Sequence, residues 1–424
     1  MTVALVAAGL LLFALVSKRL DGSMVTPPLI FVAFGYAIGE GGFAAAMVDP
    51  GREGIHLIAE ITLIIVLFAD AARIELRTLR RDHSLPVRML LIALPLTIAL
   101  GAAAAIFAFP ELGMFEAAML AAILAPTDAA LGQAVVTSPH VPVRIRQAVN
   151  VESGLNDGIA LPAVLLFAAL AGAHHGPNGA GGWAAFVAAQ LILGPLTGVI
   201  VGFVGSRAID GGIERGLVAT QFQGIAILAL VFLSFTLAEL VGGNGFISAF
   251  VAGMTFGNTV RNKCEFLFEF MEGEGQLLTL ITFLIFGAVL LPEALPHIDG
   301  MTVLYALTSL TVLRMLPVWL SLLGTGVRLP TSMFLGWFGP RGLASILFLL
   351  VILEDAGMLH ESRLLSVTVV TVALSVLLHG ISAAPFARWY GAMVARVGEC
   401  PETQKVSEMP LRHGQLRPLP DGTE

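Results

Sequence analysis

Three carboxylates stand inside strongly apolar sequence between Ala125 and Pro162: Asp128, Glu152 and Asp157. An ionised group far from water costs roughly 2.5–3.5 kcal/mol by insertion scales, so a carboxylate kept there normally binds an ion or relays a proton. In the segment VNVESGLNDGIALP, Glu152 and Asn156 are four residues apart, as are Ser153 and Asp157. On a helix both pairs stack on adjoining faces, so the four residues form one polar wedge. Counting about 1.5 Å per residue from Arg144 sets this wedge roughly 12–20 Å deep, around mid-bilayer. Apart from the Asn156 amide nitrogen its polar atoms are oxygens, a set that suits a hard cation. The plainer reading is a polar contact between helices that only fixes packing.

Asp128 lies in APTDAALG, directly after Pro126 and Thr127. Proline has no N–H to give and clashes with the preceding turn, so Pro126 should interrupt the helix there. Freed carbonyls and half-helix ends beside a carboxylate make a cation site. The simpler role for Thr127 or Asp128 is to cap the second half-helix. Arg341, in GWFGPRGLASI, falls at similar depth in another apolar stretch. A lone buried guanidinium needs a carboxylate. Glu152 is the expected partner, which would leave Asp157 as the titrating group. Arg314 is a second mid-membrane cation, and Glu272 and Glu274 are candidates for a second buried pair with it. His379, in LLHGISAAP, is expected to serve helix packing.

The elements that must position these residues are membrane-spanning helices. Of 424 residues 57% are hydrophobic and 12% charged, against about 25% charged in soluble domains. With a mean hydropathy of +0.88 and many apolar runs near helix-spanning length, the chain reads as an all-α polytopic membrane protein. Thirteen spans are expected, over 2–17, 27–39, 55–75, 87–109, 113–136, 142–172, 184–208, 215–239, 245–260, 264–291, 300–323, 331–354 and 361–390. Setting the N-terminus outside leaves almost every loop arginine and lysine cytoplasmic, with Arg52 and Arg363 the exceptions, as the positive-inside rule requires. Cys264 and Cys400 then both fall on the cytoplasmic side, where no disulfide is expected. The net charge of −7 says little about partners, because placement of charge matters more than its sum here, but the lack of a basic cluster outside short loops argues against nucleic acid.

The fifth span is broken at Pro126 and the twelfth at Gly339-Pro340-Arg341-Gly342. Seven is an odd offset, so the two broken helices would cross the membrane in opposite directions. Interruptions at matching positions of two halves point to inverted repeats around a midplane site. The expected organisation is a transmembrane domain over 1–390, with a first six-helix repeat over 1–172, a linker helix over 184–208 and a second repeat over 215–390. Residues 391–424 are polar and contain prolines, and are expected to form a disordered cytoplasmic tail.

APTDAALG, VNVESGLNDGIALP, GWFGPRGLASI and LLHGISAAP together resemble the NhaP-type branch of monovalent cation:proton antiporters, over residues 1–390. The resemblance implies a 13-span homodimer in the cell (inner) membrane that exchanges Na⁺, or K⁺ or Li⁺, for H⁺ by alternating access, without a cofactor. It puts the family's Asn-Asp pair on Asn156-Asp157, its unwound Thr-Asp on Thr127-Asp128 and its buried ion pair on Glu152 with Arg341. Asn156, where the electrogenic branch has Asp, implies electroneutral exchange. The bound ion is expected at Asp157 and Asp128, with Ser153, Asn156, Thr127 and Glu152 around it. Other classes remain: an intramembrane aspartyl protease, although neither aspartate has the Gly-x-Gly-Asp context, and a channel or an organic-anion symporter.

Overall fold

A computed structural model describes residues 2–20, 25–39, 41–42, 51–81, 84–128, 131–172, 179–261, 265–355, 360–404 and 406. Among them every regular element is helical. The first part of the chain forms α1 (Thr2–Leu20), α2 (Pro27–Ile38), α3 (Gly51–Ala72), α4 (Leu76–Arg81), α5 (Ser84–Arg88), α6 (Leu94–Ala108), α7 (Met114–Ile123), α8 (Gln133–Val136) and α9 (Val143–Gly172). It continues as α10 (Gly179–Glu214), α11 (Thr220–Leu240), α12 (Gly245–Thr259), α13 (Glu265–Ile285) and α14 (Leu291–Ala294). The last elements are α15 (Gly300–Leu310), α16 (Val312–Ser321), α17 (Leu329–Trp337), α18 (Leu343–Asp355) and α19 (Glu361–Val397).

Nine helical stretches among the described residues are long and apolar enough to cross a membrane. The chain is a polytopic helical membrane protein. The four remaining expected spans, 27–39, 113–136, 245–260 and 331–354, coincide with shorter or interrupted helices. Two of these are α2 and α12, of 12 and 15 residues. The other two are the pairs α7/α8 and α17/α18, each split by a non-helical segment. Proline accounts for part of the irregularity. Pro95 and Pro292 each follow a five-residue π turn, over Met89–Ala93 and Phe286–Leu290. The wider turn makes room for a ring that would clash in an α-helix.

Lipid supplies no hydrophobic drive between helices, so close backbone approach has to hold them together. On α12, Gly253 and Gly257 lie directly on the backbone of Phe68 and Ala72 in α3, where any Cβ would overlap main chain. The main buried cluster joins α3, α7, α9, α12, α18 and α19 through residues such as Phe68, Leu120, Leu161, Phe250, Leu347 and Val372. A second cluster gathers Ile145 and Val149 of α9 with Phe334 and Leu335 of α17 and Tyr390 of α19.

The end of the chain differs from expectation. Helix α19 runs through to Val397, past the proposed start of a tail at 391, and Pro401–Thr403 forms a short 3-10 turn with Glu402 fully buried. The polar composition of this segment conceals specific docking, because Glu402 accepts bonds from Arg328 N–H and Thr331 Oγ1, each at 2.9 Å. Residues 407–424 lie outside the described ones, as do Cys264 and the side chains of Glu272 and Glu274.

Candidate functional site

The helix α7 stops at Ile123, and Leu124–Asp128 leave the helical path ahead of and through Pro126. The end of a helix leaves carbonyls without intrahelical partners, and here they are taken up by side chains from the second interruption. Ser345 Oγ donates to Ile123 O at 2.8 Å. Arg341 Nη1 donates to Ala125 O and, at 3.1 Å, to Pro126 O. The second interruption, Phe338–Gly342, separates α17 from α18 and is served in return by the first. Asp128 N–H donates to Pro340 O at 2.8 Å, and Asp128 Oδ2 accepts from Leu343 N–H at 2.9 Å.

The two breaks therefore cap each other. A guanidinium meets the carbonyl end of α7 and a carboxylate meets the amide end of α18, each charge opposing the partial charge of the helix end it faces. Gly342 permits this approach, because a Cβ there would overlap the Asp128 carboxylate.

Helix α9 passes alongside the first break. Asn156 Nδ2 donates to Thr127 Oγ1 at 2.6 Å and to Thr127 O at 3.3 Å. Ser153 Oγ lies 3.1 Å from Thr127 Oγ1, a hydrogen bond in which either hydroxyl can donate. Three of the expected site residues, Thr127, Ser153 and Asn156, are thus brought into one hydrogen-bonded group. Asp157 adjoins Asn156 in sequence and is itself buried. The Asn156 Oδ1 is buried and accepts no hydrogen bond among the described residues. Asp128 is turned toward the second break, with Oδ2 engaged by Leu343.

The expected pair of Glu152 with Arg341 is not what forms. Glu152 Oε1 accepts from Arg314 Nη2 of α16, and both side chains are 1% exposed. The other candidates for Arg314, Glu272 and Glu274, have side chains that lie outside the described residues. The physical reason lies in what surrounds Arg341. It stands inside a non-helical stretch beside the carbonyls of Ala125 and Pro126 and donates to both through Nη1, while its Nε and Nη2 are buried without a hydrogen-bond partner among the described residues. The sequence expectation counted only carboxylates as partners for a buried guanidinium. It also passed over Ser345 and Ser375 as cap residues. Ser375 Oγ accepts from Arg341 N–H at 2.7 Å, and its spacing of four from His379 was the available signal.

A cavity of about 580 Å³ opens between α9 and the helices α3, α11, α12 and α18, with His56, Glu60, Pro162, Glu239 and Val351 on its walls. Pro162 is five residues beyond Asp157 on α9, which is about 7.5 Å along a helix axis.

Residues 4–389 match the family model described as sodium/hydrogen exchanger, transmembrane. The chain belongs to this family. Sodium/hydrogen exchangers are membrane transporters, which sets aside the protease reading. Among relatives, the chain is 24% identical over 386 residues to the K(+)/H(+) antiporter NhaP2 of Shewanella sp. (strain MR-4), a match covering 91% of this chain and 66% of NhaP2. It is 25% identical over 325 residues to the Na(+)/H(+) antiporter of Schizosaccharomyces pombe, covering 72% and 69% of the two chains. The chain thus spans about two thirds of the length of these relatives. Its fold is similar to that of the sodium proton antiporter MjNhaP1 from Methanocaldococcus jannaschii at pH 8, with a TM-score of 0.75 at 20% identity, covering 91% of this chain and 98% of MjNhaP1.

Proposed function

We propose that this exchanger swaps one monovalent cation for one proton by alternating access, with Asp157 as the shared carrier. The observation that carries the reading is the buried Asp157 on α9 beside the Thr127–Ser153–Asn156 group at a helix interruption. Burial disfavours an ionised carboxylate, whereas an adjacent cation favours it. Proton and cation therefore exclude each other at Asp157. A site left bare and charged inside the membrane carries the full desolvation cost, so only the neutralised site crosses between access states. Asn156 Oδ1, Ser153 Oγ and Thr127 Oγ1 are the further oxygens for the ion.

Electroneutral exchange follows from the other two carboxylates. Glu152 is held by Arg314, and Asp128 caps α18. Neither is released to alternate between ion-bound and protonated forms, so one carrier remains. Na⁺ is our first assignment, in line with the family description. K⁺ is the second, favoured by the several K(+)/H(+) antiporters among the relatives. In this reading the chain has thirteen spans, in two inverted six-helix repeats. It lies in the inner membrane as a homodimer, with the N-terminus outside and the loops of Arg88, Arg144 and Arg328 cytoplasmic. The cavity beside Pro162 is the aqueous approach from the outer side.

The test is cation-dependent dissipation of a pH gradient in proteoliposomes, run separately with Na⁺, K⁺ and Li⁺ on wild type and Asp157→Asn. The amide is isosteric but does not titrate, so the variant should fold and show no exchange. Wild-type exchange by folded Asp157→Asn overturns the assignment.

A further inference from the structure

The second interruption is held by a side-chain relay from α19 that the exchange cycle leaves unexplained. Trp337 closes α17, and its carbonyl lies 2.9 Å from His379 Nε2. His379 Nδ1 lies 3.1 Å from Ser375 Oγ, and Ser375 Oγ accepts from Arg341 N–H at 2.7 Å. His379, Ser375 and Arg341 are all fully buried. The side of α19 that carries Ser375 and His379 therefore reaches both edges of the gap, Trp337 before it and Arg341 after it.

Both ring nitrogens face a carbonyl, because Nδ1 also lies 3.0 Å from Ser375 O. In the tautomer with the proton on Nε2, that proton is donated to Trp337 O, and Nδ1 accepts from the Ser375 hydroxyl, whose oxygen in turn accepts from Arg341 N–H. That tautomer connects Trp337, His379, Ser375 and Arg341 in one direction, and in either tautomer His379 stays in contact with both Trp337 O and Ser375. Without the relay, Arg341 N–H would be an unpaired polar group in an apolar interior, which is costly. Trp337 O would keep only its bond from Gly339 N–H, at 2.8 Å. The two edges would gain by re-pairing with nearby main chain, which changes the shape of the gap. Arg341 is also the residue whose guanidinium holds Ala125 O and Pro126 O at the first interruption. A shift of its backbone is therefore transmitted to Thr127 and Asp128.

We propose that His379 is a positioning residue: through Ser375 and Arg341 it sets the geometry of both interruptions, and with it the fit of the cation. This rests on the exchange reading above. The experiment compares wild type, His379→Phe, His379→Gln and Ser375→Ala in proteoliposomes. It measures KM and maximal rate for whichever of Na⁺, K⁺ and Li⁺ the wild type exchanges, together with the melting temperature. Phe keeps the ring volume and removes both polar contacts, while Gln retains a donor at the Nε2 position. Losing one buried hydrogen bond of this kind should raise KM about tenfold, with a smaller change in maximal rate. The expected order is His379→Phe worst, His379→Gln partly restored, and Ser375→Ala raised in the same sense. Combining Ser375→Ala with His379→Phe should add little to the latter.

Wild-type KM in folded His379→Phe or in Ser375→Ala overturns the proposal, as does equal impairment by Phe and Gln. If His379→Phe does not fold, Ser375→Ala and His379→Gln still decide it. Absence of exchange in wild type would instead overturn the exchange reading.

Discussion

The Leu343 amide donates to Asp128 Oδ2 over 2.9 Å, so a carboxylate from one interrupted helix caps the half-helix that starts after the other. The reciprocal contact runs from Arg341 to Ala125 O and Pro126 O. Each break thus supplies the charge that the other break's helix end requires.

Replacement of Asp128 separates capping from charge. Loss of an N-cap side chain typically costs about 0.5–2 kcal/mol, and here the cap is buried. Asp128→Ala should lower the melting temperature and reduce exchange, whereas Asp128→Asn, which keeps an acceptor for Leu343, should recover most of the stability. Thermal unfolding in detergent followed by tryptophan fluorescence checks the order of the three proteins. Equal melting temperatures for Ala and wild type would remove the cap from the argument.

The Glu152–Arg314 pair calls for a double-mutant cycle. Breaking a buried pair from one side typically costs about 3–5 kcal/mol, because the remaining charge is left uncompensated. Arg314→Met and Glu152→Gln should each destabilise strongly. The double variant should be more stable than the sum of the two losses predicts. The same cycle between Glu152 and Arg341 should show much weaker coupling, since Arg341 has carbonyl partners. Coupling of equal size in both cycles would contradict the pairing seen here.

One-for-one exchange predicts indifference to voltage. Each elementary charge moved across the full field couples about 2.3 kcal/mol per 100 mV. Na⁺-driven proton flux, measured at several potentials clamped with K⁺ and valinomycin, should therefore stay flat. A rate that follows the imposed potential would mean that a second carboxylate, with Asp128 the first candidate, titrates in the cycle.

Glu402 makes stability at the basic face depend on pH. Burial pushes its carboxyl up, but bonds from Arg328 N–H, its own amide, Thr331 and Cys400 outweigh this and hold it below the ordinary value of 4.5. With the folded-state value depressed, the contribution is complete above about pH 4.5 and is lost as pH falls through the folded-state value. Arg328 is the N-cap of α17, and Arg144, at the start of α9, donates to Pro401 O in the same segment. Glu402→Gln should therefore melt below wild type at neutral pH, with the gap narrowing progressively as pH falls below 4.5. Melting curves from pH 7 down to 3.5 test this, and a gap that stays constant would deny the carboxylate its role.

Local chemistry made much of this protein legible in the sequence. Apolar length marks the helices, because unpaired backbone polar groups do not survive in lipid. Pro126 and Gly339-Pro340 mark the interruptions, because proline cannot continue a helix ladder. The spacing of Glu152, Ser153, Asn156 and Asp157 sets them on one side of α9, because helix periodicity is a local property. Partner choice is not local. Glu152 meets Arg314 across 162 positions and Asp128 meets Leu343 across 215. Arg314 and Arg341 are both buried candidates for Glu152, and charge counting treats them alike. Only the crossing of the two breaks decides between them, because it brings the carbonyls of Ala125 and Pro126 to Arg341 and leaves Arg314 to face the carboxylate.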